Sequence, residues 1–224
     1  MNDMQQYFAN LSMSPDLPPA HQQFLFELRD VHGFVPKVCY DIGACVLHWT
    51  HGAKRVWPDS KYVLFDALDH VSFLYQGYDA YVGVLSDKDD RIVRFYQNEY
   101  LPTGSSYYRE IGNQMSAQVF PDHAYQIKYA KTLDAVVKER GFPLPDLVKI
   151  DVQGSELDVI NGGLETLKHA KYLIVELQHT DYNQGAPKAD VSLPYIESLG
   201  FQCISKKFAD NGADADYCFK NTRL

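Results

Sequence analysis

The stretch LVKIDVQGSELDVINGG, from Leu147 to Gly163, decides the fold. It begins as a buried strand, with Leu147, Val148, Ile150 and Val152, yet carries Lys149 and Asp151 inside the apolar run. A polar turn follows at once, and a helix begins with Glu156 in its first turn, where a carboxylate complements the helix dipole. Lys149 and Asp151 are two residues apart, so on a strand they share one face. If they are buried, each charge needs a partner. Two readings stand. Either the pair is a mutual ion pair tying this strand to its neighbour, or Asp151 stands at a strand end where it orients an acceptor hydroxyl or takes its proton.

Strand and helix patterns alternate on both sides of this segment. KVCYDIGA (37–44) reads as a strand and turn, and VLHWTHGAKRVW (46–57) as a helix interrupted by Gly52. KYVLFDA (61–67) is a second strand, followed by a helix predicted over 69–76. DAYVGVLSD (79–87) is a third strand, and the alternating RIVRFYQ (91–97) an exposed antiparallel one. Residues 98–130 read as a long irregular segment, the kind that often carries function. KTLDAVVKERG (131–141) is a helix with Thr132 as N-cap and Gly141 as stop. After the opening strand and its helix, or two short helices around Gly162 and Gly163, come a strand at 171–179 and a helix at 188–200. The Asn211–Gly212 turn signal joins the last two strands as a hairpin. The expected fold is therefore α/β, a doubly wound parallel sheet with helices on both faces and a terminal antiparallel hairpin. Residues 1–36 are expected to form an N-terminal arm, broken by SPDLPP at 14–19, and a helix over 20–32. Residues 37–224 are expected to form a single domain.

Composition narrows the classes. The chain of 224 residues carries a formal net charge of −8 and no Lys/Arg run, so it lacks the basic footprint that nucleic acid requires. No apolar run is long enough to span a bilayer, and the N-terminus lacks the basic and apolar pattern of a secretory leader. A cytoplasmic location is the expectation. Cys39, Cys45, Cys203 and Cys218 form no C-x-x-C pair and read as reduced thiols, three of them in apolar strands.

In a doubly wound sheet, ligands bind beyond the carboxyl ends of the strands. The residues to examine are therefore Asp41, Gly43 and Ala44, then Asp66 and Ala67, then Ser86, Asp151, and Glu176 to His179. Gly43 permits close backbone approach. Asp66 follows one β-α-β unit after Asp41, at the spacing of a ribose-binding acid. The missing G-x-G-x-x-G disfavours a dinucleotide pyrophosphate and is compatible with a nucleoside cofactor. His179 is either a general base or an ordinary surface residue. Asp151, Glu176 and His179 could together hold a divalent cation, but the spacing demands none. TGSSYYRE (103–110) offers Ser105, Ser106 and two tyrosines that suit a polyol, or else is a plain surface loop.

Six segments, VCYDIGA, YVLFDA, VGVLSD, KTLDAVV, LVKIDVQGSELDVINGG and YLIVELQ, occur in order over residues 37–220. Together they resemble FkbM-type S-adenosylmethionine-dependent methyltransferases. The resemblance implies a class I, Rossmann-like methyltransferase fold with a seven-stranded sheet and a reversed last strand. It also implies methyl transfer to a hydroxyl on a sugar, polyketide or other small molecule. By the same resemblance Asp41, Gly43 and Ala44 would hold the amino-acid part of the cofactor, Asp66 the ribose, and Leu85 and Ser86 would lie near the adenine; Ala67, next to Asp66, is also expected to bind the cofactor. From their own positions, Asp151 or His179 is expected to be the base, and Ser105, Ser106 and Glu156 to contact the acceptor. The departures are Cys45 for Asn, Leu47 for a second glycine, Asp66 for Glu and Gln153 for an acid. Leu47 is expected to narrow the cofactor loop, and with Cys45 it supports an alternative, a non-catalytic module that only binds a partner.

Overall fold

The computed structural model describes residues 2–14, 17–112 and 115–224. Two helices, α1 (Asp3–Met13) and α2 (Pro19–Asp30), precede β1 (Val38–Ile42), α3 (His48–Val56) and β2 (Lys61–Asp66). A 3-10 helix (Asp69–Tyr75) leads to β3 (Asp79–Val82), β4 (Val84–Leu85) and β5 (Ile92–Phe95). Then come α4 (Ser116–Val119), β6 (Gln126–Lys131), α5 (Leu133–Arg140), β7 (Leu147–Ile150), α6 (Glu156–Asn161) and α7 (Leu164–Leu167). The chain closes with β8 (Tyr172–Gln178), α8 (Ala189–Ser198), β9 (Phe201–Asp210) and β10 (Asp214–Asn221).

Seven strands form one sheet in the order β3-β2-β1-β7-β8-β10-β9. β10 runs antiparallel to both its neighbours, and the pairs among β3, β2, β1, β7 and β8 are parallel. This is the seven-stranded sheet with a reversed last strand that the sequence implied. Strands β4, β6 and β5 form a separate small sheet beside it.

Period-two alternation sorts the strand side chains onto two cores. Tyr40, Val63, Phe65, Val148, Ile150, Leu173 and Val175 face one core, with α5, α6 and α8. Cys39, Leu64, Leu147, Ile174 and Cys218 face the other, with α2 and α3. The same parity puts Lys149 on the α2/α3 face, two residues from Leu147, and Asp41, Glu176 and Asp216 there as well. Register brings them together: Asp41 lies opposite Lys149, and Glu176 opposite Asp216. A belt of charge thus crosses one face of the sheet near its carboxyl edge.

Four expectations are corrected. The N-terminal segment is not an arm outside the core: α1 is closed by a capping box between Asn2 and Gln5, and Phe8 is 1% exposed against the His70 ring. The predicted break at 14–19 falls partly on Pro15 and Asp16, which lie outside the described residues. The helix after β2 is a 3-10 helix. The third strand splits at Gly83, so that β4 leaves the main sheet for the small one. The segment 98–130 holds α4 and most of β6, whose apolar Ile127 and Tyr129 face outward and gave no burial pattern.

If α1 is part of the core, Phe8→Ala should destabilise the chain by about 3 kcal/mol, the usual cost of deleting a buried aromatic side chain. Urea unfolding followed by circular dichroism measures this, and an unchanged midpoint would return α1 to the status of an arm.

Candidate active site

Two turns build the site, one after β1 and one after β7. Gly43 has φ +88°, and a Cβ placed on it would lie 1.7 Å from the Asp151 carbonyl oxygen. No other residue fits, because the two strand ends approach each other at this point. Its N–H donates to the Phe65 carbonyl at 2.9 Å, as does that of Ala44 at 3.1 Å, which ties the turn to β2. Cys45 and Leu47 then take left-handed φ values of 43° and 71°, and Gln153 does so at 55° in the second turn. These are three of the five non-glycine left-handed residues among those described, and such residues persist where surrounding contacts over-determine them.

Those contacts are visible. Asp66 Oδ2 accepts from the Cys45 N–H at 2.7 Å, and Oδ1 from Leu68 N–H at 2.8 Å. Glu156 Oε1 accepts from both Val152 N–H and Gly154 N–H at 3.0 Å, closing the second turn. Tyr107 and Tyr108 hydroxyls converge with Arg91 on Asp158 Oδ2, at 2.9, 3.2 and 2.9 Å. That anchors the 103–110 loop to α6.

Between the turns and this loop lies a cleft. Gly43, Asp66, Ala67, Leu85, Ser105, Ser106 and Asp151, all singled out in the sequence, line it. Cys45, Phe95, Pro102 to Gly104 and Gln153 also line it. Phe95 and Pro102 carried no signal in the sequence, because only the folding of the small sheet and its loop over β2 brings them there. The Ser105 hydroxyl is buried and has no hydrogen-bond partner among the described residues. The lining holds two carboxylates and no Lys, Arg or His among the described residues.

Five named residues do not line the cleft. Asp41 is buried and accepts from the Thr50 hydroxyl. Ala44 packs in the α2/α3 core. The Ser86 hydroxyl is taken up by Arg91, Asp87 and Tyr107. Glu156 is spent on the turn, as described. His179 lies against the Tyr217 ring, its Nε2 3.3 Å from the Tyr217 hydroxyl, so the geometry does not put it where a base would act. Leu47 is likewise in the core, 3% exposed, and does not narrow the cleft. Of the two residues that favoured the alternative, only Cys45 lines the cleft.

Asp151 both lines the cleft and forms the ion pair. Its side chain is 32% exposed to the cleft and also pairs with Lys149, Oδ2 to Nζ at 2.9 Å. Gln153 Nε2 donates to Asp151 Oδ1 and to Glu176 Oε2, each at 2.9 Å. Burial and then the Asp151 charge push Glu176 well above the ordinary carboxylate range. Burial also raises Asp151, but the Lys149 charge together with hydrogen bonds from Glu176 and Lys149 outweighs it and leaves Asp151 below that range. Of the two neighbouring carboxyls, Glu176 is thus the one that binds a proton more readily. Burial, only partly opposed by hydrogen bonds, raises Asp66 and Asp41 to about 6. Among the described residues no group of three His, Cys, Asp or Glu is placed to hold a metal ion. No helix among them is long and apolar enough to cross a membrane.

A seven-stranded α/β sheet of this topology, with its cleft at the carboxyl edge, defines the class of the protein. Residues 41–203 match the Methyltransferase FkbM domain, and the chain belongs to that family. It is 31% identical over 94 residues to a 2-O-methyltransferase, NoeI, of Sinorhizobium fredii (strain NBRC 101917 / NGR234), a match covering 42% of this chain and 37% of the relative. Among solved structures it resembles the methyltransferase FkbM from Methylobacillus flagellatus KT, with a TM-score of 0.54 and 12% identity, covering 98% of this chain and 55% of that one. It also resembles cofactor-bound Rv0187 from MTB, with a TM-score of 0.53 and 12% identity, covering 98% and 88%. At these identities the likeness to the structures is one of fold.

Glu156 gives a test of the second turn. Burial pushes it up to about 7 from an ordinary value of 4.5. The native state thus holds this proton more tightly than the unfolded chain does. The stabilisation is complete below the unfolded value and is lost as pH rises through 7, a change of about 3 kcal/mol. Glu156→Gln keeps an acceptor for both N–H groups and removes the titration. Its melting temperature should fall less than that of the wild type between pH 5 and 8.5, and equal slopes would show that Glu156 is not held in this way.

Proposed function

We propose that this chain is an S-adenosylmethionine-dependent O-methyltransferase acting on a hydroxyl of a small molecule. The observation that carries the reading is the cleft itself, which joins Gly43, Asp66 and Asp151 at the strand ends of a chain in the FkbM family. Its residues suit the cofactor. Phe65, Leu68, Val84, Leu85 and Phe95 give an apolar wall for a flat base. Each Asp66 oxygen accepts one backbone N–H and retains a lone pair for a ribose hydroxyl. The buried Ser105 hydroxyl has a hydrogen bond still to make. A lining with two carboxylates and, among the described residues, no Lys, Arg or His favours a positively charged sulfonium and opposes a pyrophosphate.

When bound, the cofactor supplies an electrophilic methyl group on that sulfonium. Asp151 orients the acceptor hydroxyl and takes its proton. Lys149 and Gln153 hold the two Asp151 oxygens in place for that step. Positioning of the acceptor supplies much of the remaining rate. The partial likeness to a 2-O-methyltransferase supports oxygen as the accepting atom.

Calorimetric titration with S-adenosylhomocysteine tests the cofactor. Binding is expected in the wild type, with a loss of at least about tenfold in Asp66→Ala. A folded wild-type sample that binds none would sink the reading. Asp151→Asn is expected to bind the product normally and to lose turnover with a hydroxyl acceptor.

A further inference from the structure

Helix α2 and strand β10 lie outside the span that matches the family, yet they bring His21 and Asp216 to the Lys149 ammonium. Trp49 Nε1–H can only donate, so its 2.9 Å bond makes His21 Nε2 an acceptor. The ring proton therefore sits on Nδ1, which donates to Asp216 Oδ2 at 2.8 Å. Asp216 Oδ1 is buried and accepts no hydrogen bond among the described residues. What faces it is Lys149 Nζ at 3.6 Å. One ammonium thus stands between two carboxylates, 2.9 Å from Asp151 and 3.6 Å from Asp216.

We propose that His21 and Asp216 are positioning residues for Asp151: His21 holds Asp216 as an anion, Asp216 takes a share of the Lys149 charge, and Asp151 is left as a base instead of one half of a closed ion pair. This rests on the reading of Asp151 as the proton acceptor. Burial works against the Asp216 charge, but Lys149 and the His21 hydrogen bond outweigh it and keep Asp216 below the ordinary range. At Asp151, beyond the burial that raises it, Lys149 lowers it and Asp216 raises it. The other ionisable groups facing Asp151 are Glu176 from β8, Asp214 from β10, Asp41 from β1, Cys45 from the turn after β1, and Glu156 from α6. All are acids, so none replaces Lys149. With Asp216 neutral, the whole ammonium charge falls to Asp151, which becomes a weaker base.

A carboxyl-carbon NMR titration of the whole chain, labelled at Asp and Glu, reads this without needing a methyl acceptor. Asp151 is assigned by the signal lost in Asp151→Asn. Asp216→Asn and His21→Leu should each lower the midpoint of Asp151 by about one pH unit. His21→Asn, whose amide nitrogen takes the place of Nδ1, should restore it. A purely structural pair would lower the melting temperature of these variants and leave the midpoint unmoved. That result, or an upward shift, overturns the proposal. Should His21→Leu fail to fold, Asp216→Asn and His21→Asn decide it. Binding of S-adenosylhomocysteine, measured on the same samples, is expected to stay within about twofold of wild type. Its absence from the wild type would count against the functional reading, while the titration would still decide the relay.

Discussion

A single buried ammonium organises this protein. Lys149 is 3% exposed at the centre of the sheet, where an unpaired charge would cost several kcal/mol. Burial works to strip its proton, but Asp151, Asp216 and Glu176 outweigh that and hold it charged. The demand for partners explains why acids stand at the ends of β1, β7, β8 and β10 on one face of the sheet. It also explains why α2 crosses that face with a histidine turned inward. Each acid that answers Lys149 is also desolvated, and each needs further donors: Thr50 for Asp41, Gln153 for Asp151 and Glu176, and His21 for Asp216.

The cleft follows from the same economy of hydrogen bonds. Its turns are held from within, by Asp66 on the Cys45 and Leu68 amides and by Glu156 on the Val152 and Gly154 amides. The site is therefore preorganised, and a ligand need not spend binding energy on ordering the backbone. The loop that covers it is fastened in turn by three donors on Asp158. Acids that look like ligand contacts in a linear reading thus divide into two kinds. Glu156 and Asp158 hold the walls, whereas Asp66 and Asp151 hold a wall and also face the space inside it.

Much of the architecture was legible because short-range physics encodes it. Alternating apolar runs marked the strands, Thr132 and Gly141 marked both ends of α5, and Asn211–Gly212 marked the last hairpin. What escaped were features whose cause lies elsewhere in the chain. β6 exposes its apolar side chains and is a strand because β5 pairs with it. The bonds of the Tyr107 and Tyr108 hydroxyls to Asp158 of α6 had no local sign in the sequence. His179 looked like a base beside an acid, but it follows β8 directly and is drawn to the Tyr217 ring of the neighbouring strand. Leu47 looked like an obstruction in the cofactor loop, and its left-handed backbone turns the side chain into the core instead.

By itself the sequence determined the sheet, the order of its layers, the glycine turns at the strand ends and the face on which Lys149 and Asp151 lie, since alternation along a strand is a local property. It could not determine which acids meet that lysine. Asp41 reaches it through the register of β1 on β7 and Asp216 through the reversal of β10, where His21 joins Asp216 across 195 residues. Parity along a strand is fixed by the covalent chain. Register and helix packing are settled only when buried charges, which carry no periodicity of their own, find their partners in the folded state.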